Sequence, residues 1–220
     1  WCAALGLAVG TSLFFMRSNW PRLPPARRLM SAIVFGTLLS IPLGYAGSQF
    51  LASLSRKYGN IKRAIVGNET ILLGNLDVDQ LIGYLDRARA HLDIPVSTAE
   101  PLDTWQRHPE LARHVDFITV HILPYWENKP RKEAVDFVLG QYHALERMFP
   151  GKPVVIGEVG WPSNGNRRQY AQPSLQDEAR FIREWMNAAA REHIDYYLME
   201  AFDQPWKEAN EGRAGAYWGV

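Results

Sequence analysis

The sequence has a single cysteine, Cys2, which excludes an internal disulfide framework and any zinc or iron–sulfur site built from a cysteine cluster. It also lacks an excess of charge: 24 Lys and Arg face 23 Asp and Glu, which argues against a nucleic-acid-coating protein. Its 17 glycines and 14 prolines among 220 residues are too few for a collagen-like or low-complexity chain. With 47% hydrophobic residues, the chain can bury a core.

Acidic side chains are absent from the first 68 residues, although this stretch carries eight of the basic ones. Glu69 is the first acid, and the remainder of the chain holds 16 basic and 23 acidic groups. A charge break of this kind usually separates two environments. We therefore predict two regions, a hydrophobic anchor over residues 1–50 and a second domain over residues 51–220.

The first region contains two uncharged runs, residues 1–16 and residues 29–55, with a basic, proline-rich loop at residues 17–28 between them. A membrane-spanning helix needs about 20 apolar residues, and the second run is long enough. We expect one or two transmembrane helices here, with the loop in the cytoplasm and the part after Ser55 facing the periplasm or exterior. A signal-like segment or a buried core helix over residues 29–50 is the alternative.

Strand-like and helix-like segments alternate after about residue 56. The predicted strands are residues 61–66, 94–98, 115–123, 153–157 and 195–201, and the predicted helices are residues 77–92, 133–148 and 174–192. This alternation predicts an α/β fold with a parallel sheet covered by helices.

Carboxylates and aromatic rings follow the predicted strands. In a parallel β/α architecture the carboxyl ends of the strands lie at one face, where (β/α)8 barrels hold their active sites. Carboxylates accept hydrogen bonds from hydroxyl groups, and flat rings stack on the apolar faces of sugars. The residues expected to converge there are Glu69, Glu100, Glu158, Glu200, Asp203, Trp105, Tyr125, Trp126, Trp161 and Trp206.

Two of these carboxylates suit the chemistry of glycoside cleavage, which needs a proton donor for the leaving oxygen and a group for the cationic centre. Glu69 follows an apolar strand beside Asn68 and is a candidate acid/base. Glu158 follows the buried-type strand at residues 153–157 and is a candidate nucleophile. His121, inside a predicted strand, either supports the nucleophile or the sugar or is a core histidine.

Five motifs closely resemble family 17 glycoside hydrolases, and above all their bacterial, membrane-associated members. The motifs are VGNE at 66–69, VSTAEP at 96–101, TVHILPYW at 119–126, GEVGWPS at 157–163 and EAFDQPWK at 200–207. The resemblance implies a β-1,3-glucan hydrolase or glucanosyltransferase with a (β/α)8 barrel, at a bacterial cell membrane. Its partners would be a β-glucan polysaccharide or oligosaccharide and the membrane, with no nucleic acid.

The resemblance also implies a retaining double displacement, with Glu158 as nucleophile and Glu69 as acid/base. Asn68 would hydrogen-bond the sugar 2-hydroxyl. No cofactor or metal is needed for this reaction. The remaining predicted substrate-binding residues are His121, Tyr125, Trp126, Trp161, Glu200 and Asp203; the last two either bind sugar or hold the active-site loops.

The chain departs from the family in length, since a (β/α)8 barrel takes about 250 residues. The segment from residue 51 accommodates units 4 to 8, so we predict a partial barrel. Three accounts remain open: a piece of a longer protein, missing strands supplied by another chain, or a decayed half-barrel. The alternative function is therefore a catalytically incomplete glucan-binding module of a membrane glucan synthase.

Overall fold

A computed structural model describes residues 49–220 of the chain. Their contacts form two compact units: residues 49–62 with Arg87–Ile94, and Arg63–Asp86 with Pro95–Val220. Residues 1–16, the basic loop and most of the run at 29–55 lie outside the described residues, and so do nearly all of the predicted membrane helices. Within residues 49–220, no helix combines the length and apolar character that a bilayer span requires.

The described chain begins with a helical segment over residues 49–57 and continues as alternating strands and helices. The strands are β1 (Ala64–Asn68), β2 (Val96–Pro101), β3 (Ile118–His121), β4 (Val154–Val159) and β5 (Asp195–Leu198). The helices are α1 (Val78–His91), α2 (Leu102–Arg107), α3 (Arg131–Met148), α4 (Leu175–Glu192) and α5 (Glu208–Gly215). Short 3-10 turns cover Pro109–Arg113 and Pro205–Lys207.

The five strands form one sheet in the order β1-β2-β3-β4-β5, and every neighbouring pair is parallel. This confirms the predicted parallel α/β fold. Sequential parallel strands with intervening helices require crossover connections, and α1, α3 and α4 lie in three of these connections. The carboxyl ends of all five strands therefore lie along the same end of the sheet.

The core forms where the apolar faces of the helices pack on the sheet. All four residues of β3 and five of the six residues of β2 are buried, as expected for strands covered on both faces. From the helices, α1 contributes Leu81 and Leu85, and α4 contributes Phe181 and Trp185, all at most 1% exposed. Burial of such side chains supplies most of the favourable free energy of folding.

Two glycine positions interrupt the ladder next to the carboxylates of interest. Along β1, Ile65 pairs with Ser97 of β2 and Asn68 pairs with Ala99, so β1 has one residue more than β2 between these pairs. Gly67 lies in this bulge and has a φ of 91°. Along β4, the register against β3 shifts at Gly157. β-bulges redirect side chains and are common beside active sites.

Several predicted boundaries were wrong by a few residues. The expected strand at 61–66 begins at Ala64 and includes Asn68, and the strand at 153–157 extends through Glu158 to Val159. On α4, the apolar side chain of Leu175 is 70% exposed, while Glu178 is 3% exposed. The reason lies at the start of the helix, where the Ser174 hydroxyl accepts a hydrogen bond from Asp177 N, so Leu175 lies in the first turn.

Candidate active site

Glu69 is the residue directly after β1, and its backbone adopts a left-handed conformation with φ of 50°. A non-glycine residue in this region is uncommon and stores strain that its surroundings must offset. Here the Glu69 N–H donates to the Ala99 carbonyl at 2.8 Å, which continues the contact between β1 and β2 past the bulge. The Glu69 side chain is 24% exposed and lines a cleft at the carboxyl ends of the strands.

Glu158 lies inside β4, opposite His121 of β3. Val120 pairs with Ile156 and His121 pairs with Glu158, so the extra residue Gly157 brings Glu158 level with His121. The Ile122 N–H donates to the Glu158 carbonyl at 2.9 Å and fixes this register. The predicted nucleophile is therefore held by the sheet itself.

His121 has one ring nitrogen near both carboxyl groups. Its Nδ1 is 3.0 Å from Glu69 Oε1 and 3.7 Å from Glu158 Oε2, and its side chain is only 4% exposed. Since both oxygens lie near one nitrogen, they are separated by at most the sum of these distances, about 6.7 Å. That limit is compatible with the carboxyl separation of about 5 Å in retaining glycosidases.

The electrostatic environment of Glu158 is mixed. Burial raises the pKa of its carboxyl, and the negative charges of Glu69 and Glu200 act in the same direction. Positive charge on His121 and on Lys207 opposes this rise in the pKa. The net direction of the pKa is upward, whereas a nucleophile must be ionised to attack, so the positive charges of His121 and Lys207 act in the direction that the reaction needs.

The cleft between these groups has a volume of about 990 Å³, which is large enough for an oligosaccharide. Of the sequence-predicted site residues, it brings together Asn68, Glu69, His121, Trp126, Glu158 and Glu200. Trp126 is half-buried, and the Arg168 guanidinium lies 5.5 Å from its ring centre. One aromatic ring and several carboxylates therefore face the same space.

Three predicted sugar-binding residues do not reach the cleft. Trp161 is 1% exposed and Tyr125 is 3% exposed; their rings pack edge-on at 6.3 Å, and Tyr125 also packs against Trp218. The Tyr125 hydroxyl donates to the Asn166 carbonyl. Asp203 is outside the cleft lining, and its side chain accepts a hydrogen bond from Gly219 N. Aromatic residues after strands can pack into the core, and these two do.

Glu100 and Trp105 are likewise buried away from the cleft. Trp105 is fully buried and donates from its indole nitrogen to the Thr119 carbonyl. Glu100 is also fully buried, and its carboxylate accepts hydrogen bonds from the segment that follows Glu69. The expected convergence of all the strand-end carboxylates is thus wrong for Glu100.

Sequence reasoning missed several residues that line the cleft. Lys207 donates to both carboxylate oxygens of Glu200, at 2.9 Å and 3.2 Å, and Gln204 also donates to Glu200. Lys207 closes the motif EAFDQPWK, so the motif contained the signal. The other missed residues are Leu72, Leu73, Pro101, Asp103, Leu123, Glu127, Leu198, Met199, Asn210 and Glu211. Leu72 and Leu73 carried no chemical signal, because they are apolar side chains in a loop.

Within the described part of the chain, no group of three or more His, Cys, Asp or Glu side chains is arranged to hold a metal ion.

Comparison with known proteins identifies the family. The model of the BtgE/BtgC glycoside hydrolase domain matches residues 46–219. The chain belongs to the BtgE/BtgC glycoside hydrolase domain family. Its curated relatives include "Probable beta-glucosidase btgE" of Aspergillus fumigatus, 27% identical over 85% of this chain and 34% of the relative. Another is "Probable glucan endo-1,3-beta-glucosidase btgC" of Aspergillus oryzae, 28% identical over 66% of this chain and 24% of the relative.

A solved structure adds to this assignment. The family 17 β-1,3-glucanosyltransferase of Rhizomucor miehei is 30% identical, with a TM-score of 0.66 over 73% of this chain and 59% of that chain. The resemblance to family 17 is thereby confirmed, and so is a parallel-sheet fold similar to the family barrel. This BtgE/BtgC domain spans about a third or less of the length of these curated relatives. The narrower resemblance to bacterial membrane-associated members stays a prediction.

Proposed function

We propose that this BtgE/BtgC domain acts as a retaining β-1,3-glucan hydrolase or glucanosyltransferase. The observation that carries the proposal is the approach of Glu69 and Glu158 to one nitrogen of His121 within a cleft. The upper limit of about 6.7 Å between their oxygens leaves room for the spacing of about 5 Å that a double displacement uses. The substrate class follows the printed names of the relatives, one of which was solved as an active-site mutant with laminaritriose.

In the proposed reaction, Glu158 attacks the anomeric carbon while the protonated Glu69 gives its proton to the leaving oxygen. The bond from the anomeric carbon to that oxygen breaks, and a glucosyl ester forms on Glu158. Glu69 then removes a proton from water or from a sugar hydroxyl. The oxygen of that group attacks the anomeric carbon, and the ester bond to Glu158 breaks. Positive charge that develops at the anomeric carbon favours the ionised form of Glu158 and so opposes the effect of burial on its pKa.

The substrate-binding roles are also proposals. Asn68, Trp126 and Glu200 line the cleft, so they can contact the sugar directly. Trp126 offers a ring face for stacking, and Asn68, beside Glu69, can bond a sugar hydroxyl. Lys207 fixes the Glu200 carboxylate and supplies a positive charge to the cleft. Tyr125 and Trp161 support this surface from the core.

We propose further that β1 to β5 correspond to strands 4 to 8 of a (β/α)8 barrel. The sequential order of the five parallel strands supports this assignment, with Glu69 after the first and Glu158 in the fourth.

The family match begins at residue 46, so residues 29–45 remain for the proposed membrane helix, a length close to the shortest that spans a bilayer. The proposed location is a bacterial cell membrane, with the domain facing the periplasm or exterior.

Product analysis tests the catalytic proposal. The full chain and its Glu158→Gln variant are incubated with laminarihexaose, and Glu133→Gln on the exposed face of α3 is the matched control. We expect products from the parent and the control but not from Glu158→Gln. Products longer than the substrate indicate transfer, and shorter ones alone indicate hydrolysis. Turnover by Glu158→Gln at the parent rate would contradict the assignment.

A glucan-binding module is the second candidate. It is favoured by the open sheet, because β1 and β5 each pair with a single strand among residues 49–220. In that case laminarihexaose would bind to the parent and to Glu158→Gln without being converted by either.

Alkaline extraction of membranes from expressing cells tests the proposed membrane anchor. We expect the chain in the membrane pellet, and its release into the supernatant would contradict the anchor.

A further inference from the structure

Four consecutive residues after β1 are held by two consecutive residues of β2. The Glu69 N–H donates to the Ala99 carbonyl at 2.8 Å. The next three residues all donate to the Glu100 carboxylate: Thr70 Oγ1 at 3.1 Å, Ile71 N at 2.9 Å and Leu72 N at 3.3 Å. The segment Glu69–Leu72 therefore has its backbone course fixed by the neighbouring strand.

The character of Glu100 suits this role. Its side chain is fully buried, and all three of its hydrogen-bond partners are donors. Burial raises the pKa of the Glu100 carboxyl, while the bonds from Ile71, Leu72 and Thr70 lower it. The net direction of the pKa is upward. The backbone N–H groups of Ile71 and Leu72 can only donate, so each of the two carboxyl oxygens acts as an acceptor toward this segment.

The held segment determines the position of the Glu69 carboxyl. Glu69 has φ of 50°, a conformation that an L-residue adopts only when its surroundings compensate for the strain. If the segment relaxed to an ordinary φ, the side chain would turn away from His121, which lies 3.0 Å from it. Leu72 and Leu73, which line the cleft beside Glu69, would move as well.

We propose that Glu100 is a positioning residue for the proton transfer by Glu69. It contacts no reacting atom and acts by fixing the segment that presents the acid/base group. This inference rests on the proposed function. It predicts that loss of a Glu100 bond impairs the part of the reaction that needs a proton donor, and leaves bond breaking at an activated substrate nearly intact.

The test compares two substrates that differ in their need for a proton. One is laminaritetraose, whose leaving sugar oxygen must be protonated. The other is a 2,4-dinitrophenyl β-laminaribioside, whose phenolate leaves without a proton. The value of kcat/KM covers the steps up to the glycosyl-enzyme and is measured for both. Each variant thereby reports separately on proton donation and on nucleophilic attack.

The two informative variants are Glu100→Gln and Thr70→Val. Glu100→Gln replaces one acceptor oxygen by a donor, and Thr70→Val removes one of the three donors at nearly constant volume. We expect kcat/KM for laminaritetraose to fall about 30-fold in the first and about fivefold in the second. For the dinitrophenyl substrate, both variants should stay within about threefold of the parent.

Glu178→Gln is the matched control, since it changes another buried carboxyl that is not bonded to the segment after Glu69. It should leave both rates unchanged. Equal losses on the two substrates, or unchanged rates in Glu100→Gln, would overturn the inference.

Amide hydrogen exchange over residues 69–75 tests the same inference without turnover. Protection of the Ile71 and Leu72 amides should fall in Glu100→Gln and persist in Glu178→Gln. Full protection in Glu100→Gln would overturn the positioning role. If the parent converts neither substrate, the proposed function fails, and the exchange result still decides whether Glu100 holds the segment.

Discussion

His121 Nδ1 lies 3.0 Å from Glu69 Oε1 and 3.7 Å from Glu158 Oε2, so one buried imidazole nitrogen faces both of the proposed catalytic carboxyl groups. The nitrogen can donate to Glu69, and a positive charge on the ring lowers the pKa of Glu158. The proposed acid/base and nucleophile are thereby coupled through a third side chain. Removal of the imidazole should raise the pKa of Glu158, since the charge of the ring opposes the effect of burial.

The first prediction is the replacement of His121 by Asn. Glu158 must be ionised to attack, so activity falls as the pH drops through its pKa. Burial raises this pKa and charge on His121 lowers it, so His121→Asn should raise it further. The acidic limb of the kcat/KM profile should move to higher pH. His143→Asn, at a half-exposed surface histidine, is the control, and a limb that stays in place in His121→Asn would contradict the coupling.

A second prediction concerns the bulge at Gly157. A Cβ atom there would lie 2.7 Å from the Thr119 methyl carbon and 3.0 Å from Cδ2 of His121. Gly157→Ala should therefore displace His121 and misalign Glu158. Because a shift of about 1 Å can cost about 100-fold in rate, we expect a loss of that order in kcat/KM. Gly140→Ala, where a Cβ meets nothing within 4 Å, should keep parental activity; activity in Gly157→Ala would contradict the tight fit.

The third prediction separates the two tryptophans that follow β3 and β4. Trp126 lines the cleft and Trp161 is buried in the core. Trp126→Ala should weaken laminarihexaose binding about tenfold, with little change in Tm. Trp161→Ala should lower the free energy of unfolding by about 3–5 kcal/mol because it leaves a cavity. Calorimetric titration and thermal unfolding of both variants check this division, and the reverse pattern would contradict it.

The fourth prediction concerns Glu178 of α4. Burial raises its pKa to about 7 from an ordinary value of 4.5, and the charge of Asp203 contributes. Between these values the folded protein holds a proton that the unfolded chain has released, so stability declines as the pH rises from about 4.5 to about 7. Glu178→Gln stays neutral and avoids this decline.

Thermal unfolding at pH 5 and pH 8 measures this effect. We expect Glu178→Gln to match the parent at pH 5 and to exceed its Tm by several degrees at pH 8. Glu184→Gln, at a partly exposed carboxylate of the same helix, is the control and should show no such gain with pH. An equal Tm difference at both pH values would contradict a titrating Glu178.

Periodicity predicted the helices well because long amphipathic segments repeat their signal over several turns. The expected helix at 77–92 was found as Val78–His91 and that at 133–148 as Arg131–Met148. The strands were less exact. Glu158 was expected just after its strand but lies inside it, since a bulge at Gly157 depends on pairing with β3 and not on local sequence. Alternation along one strand cannot reveal such a register shift.

The candidate site was predicted in its chemistry more than in its lining. Glu69, His121 and Glu158 meet in the cleft, as placement near the strand ends indicated. Tyr125 and Trp161 were expected beside them and are core residues, because an aromatic side chain after a strand can turn to either side. The partnership of Lys207 with Glu200 spans seven residues and arises from the turn at Pro205–Lys207, so spacing alone did not reveal it.

The bulge at Gly157 places Glu158 inside the hydrogen-bonded ladder, whereas Glu69 stands on an irregular segment past the end of β1. The two carboxyl groups therefore differ in how freely the surrounding chain can diversify. The connection between β4 and α4 supplies no residue to the lining of the cleft, and the ladder holds Glu158 ahead of it, so insertions there can leave Glu158 in place. The segment Glu69–Leu72 has no such freedom, because four of its atoms are bonded to Ala99 and Glu100. Changes of chain length should therefore be tolerated after β4 and not directly after Glu69.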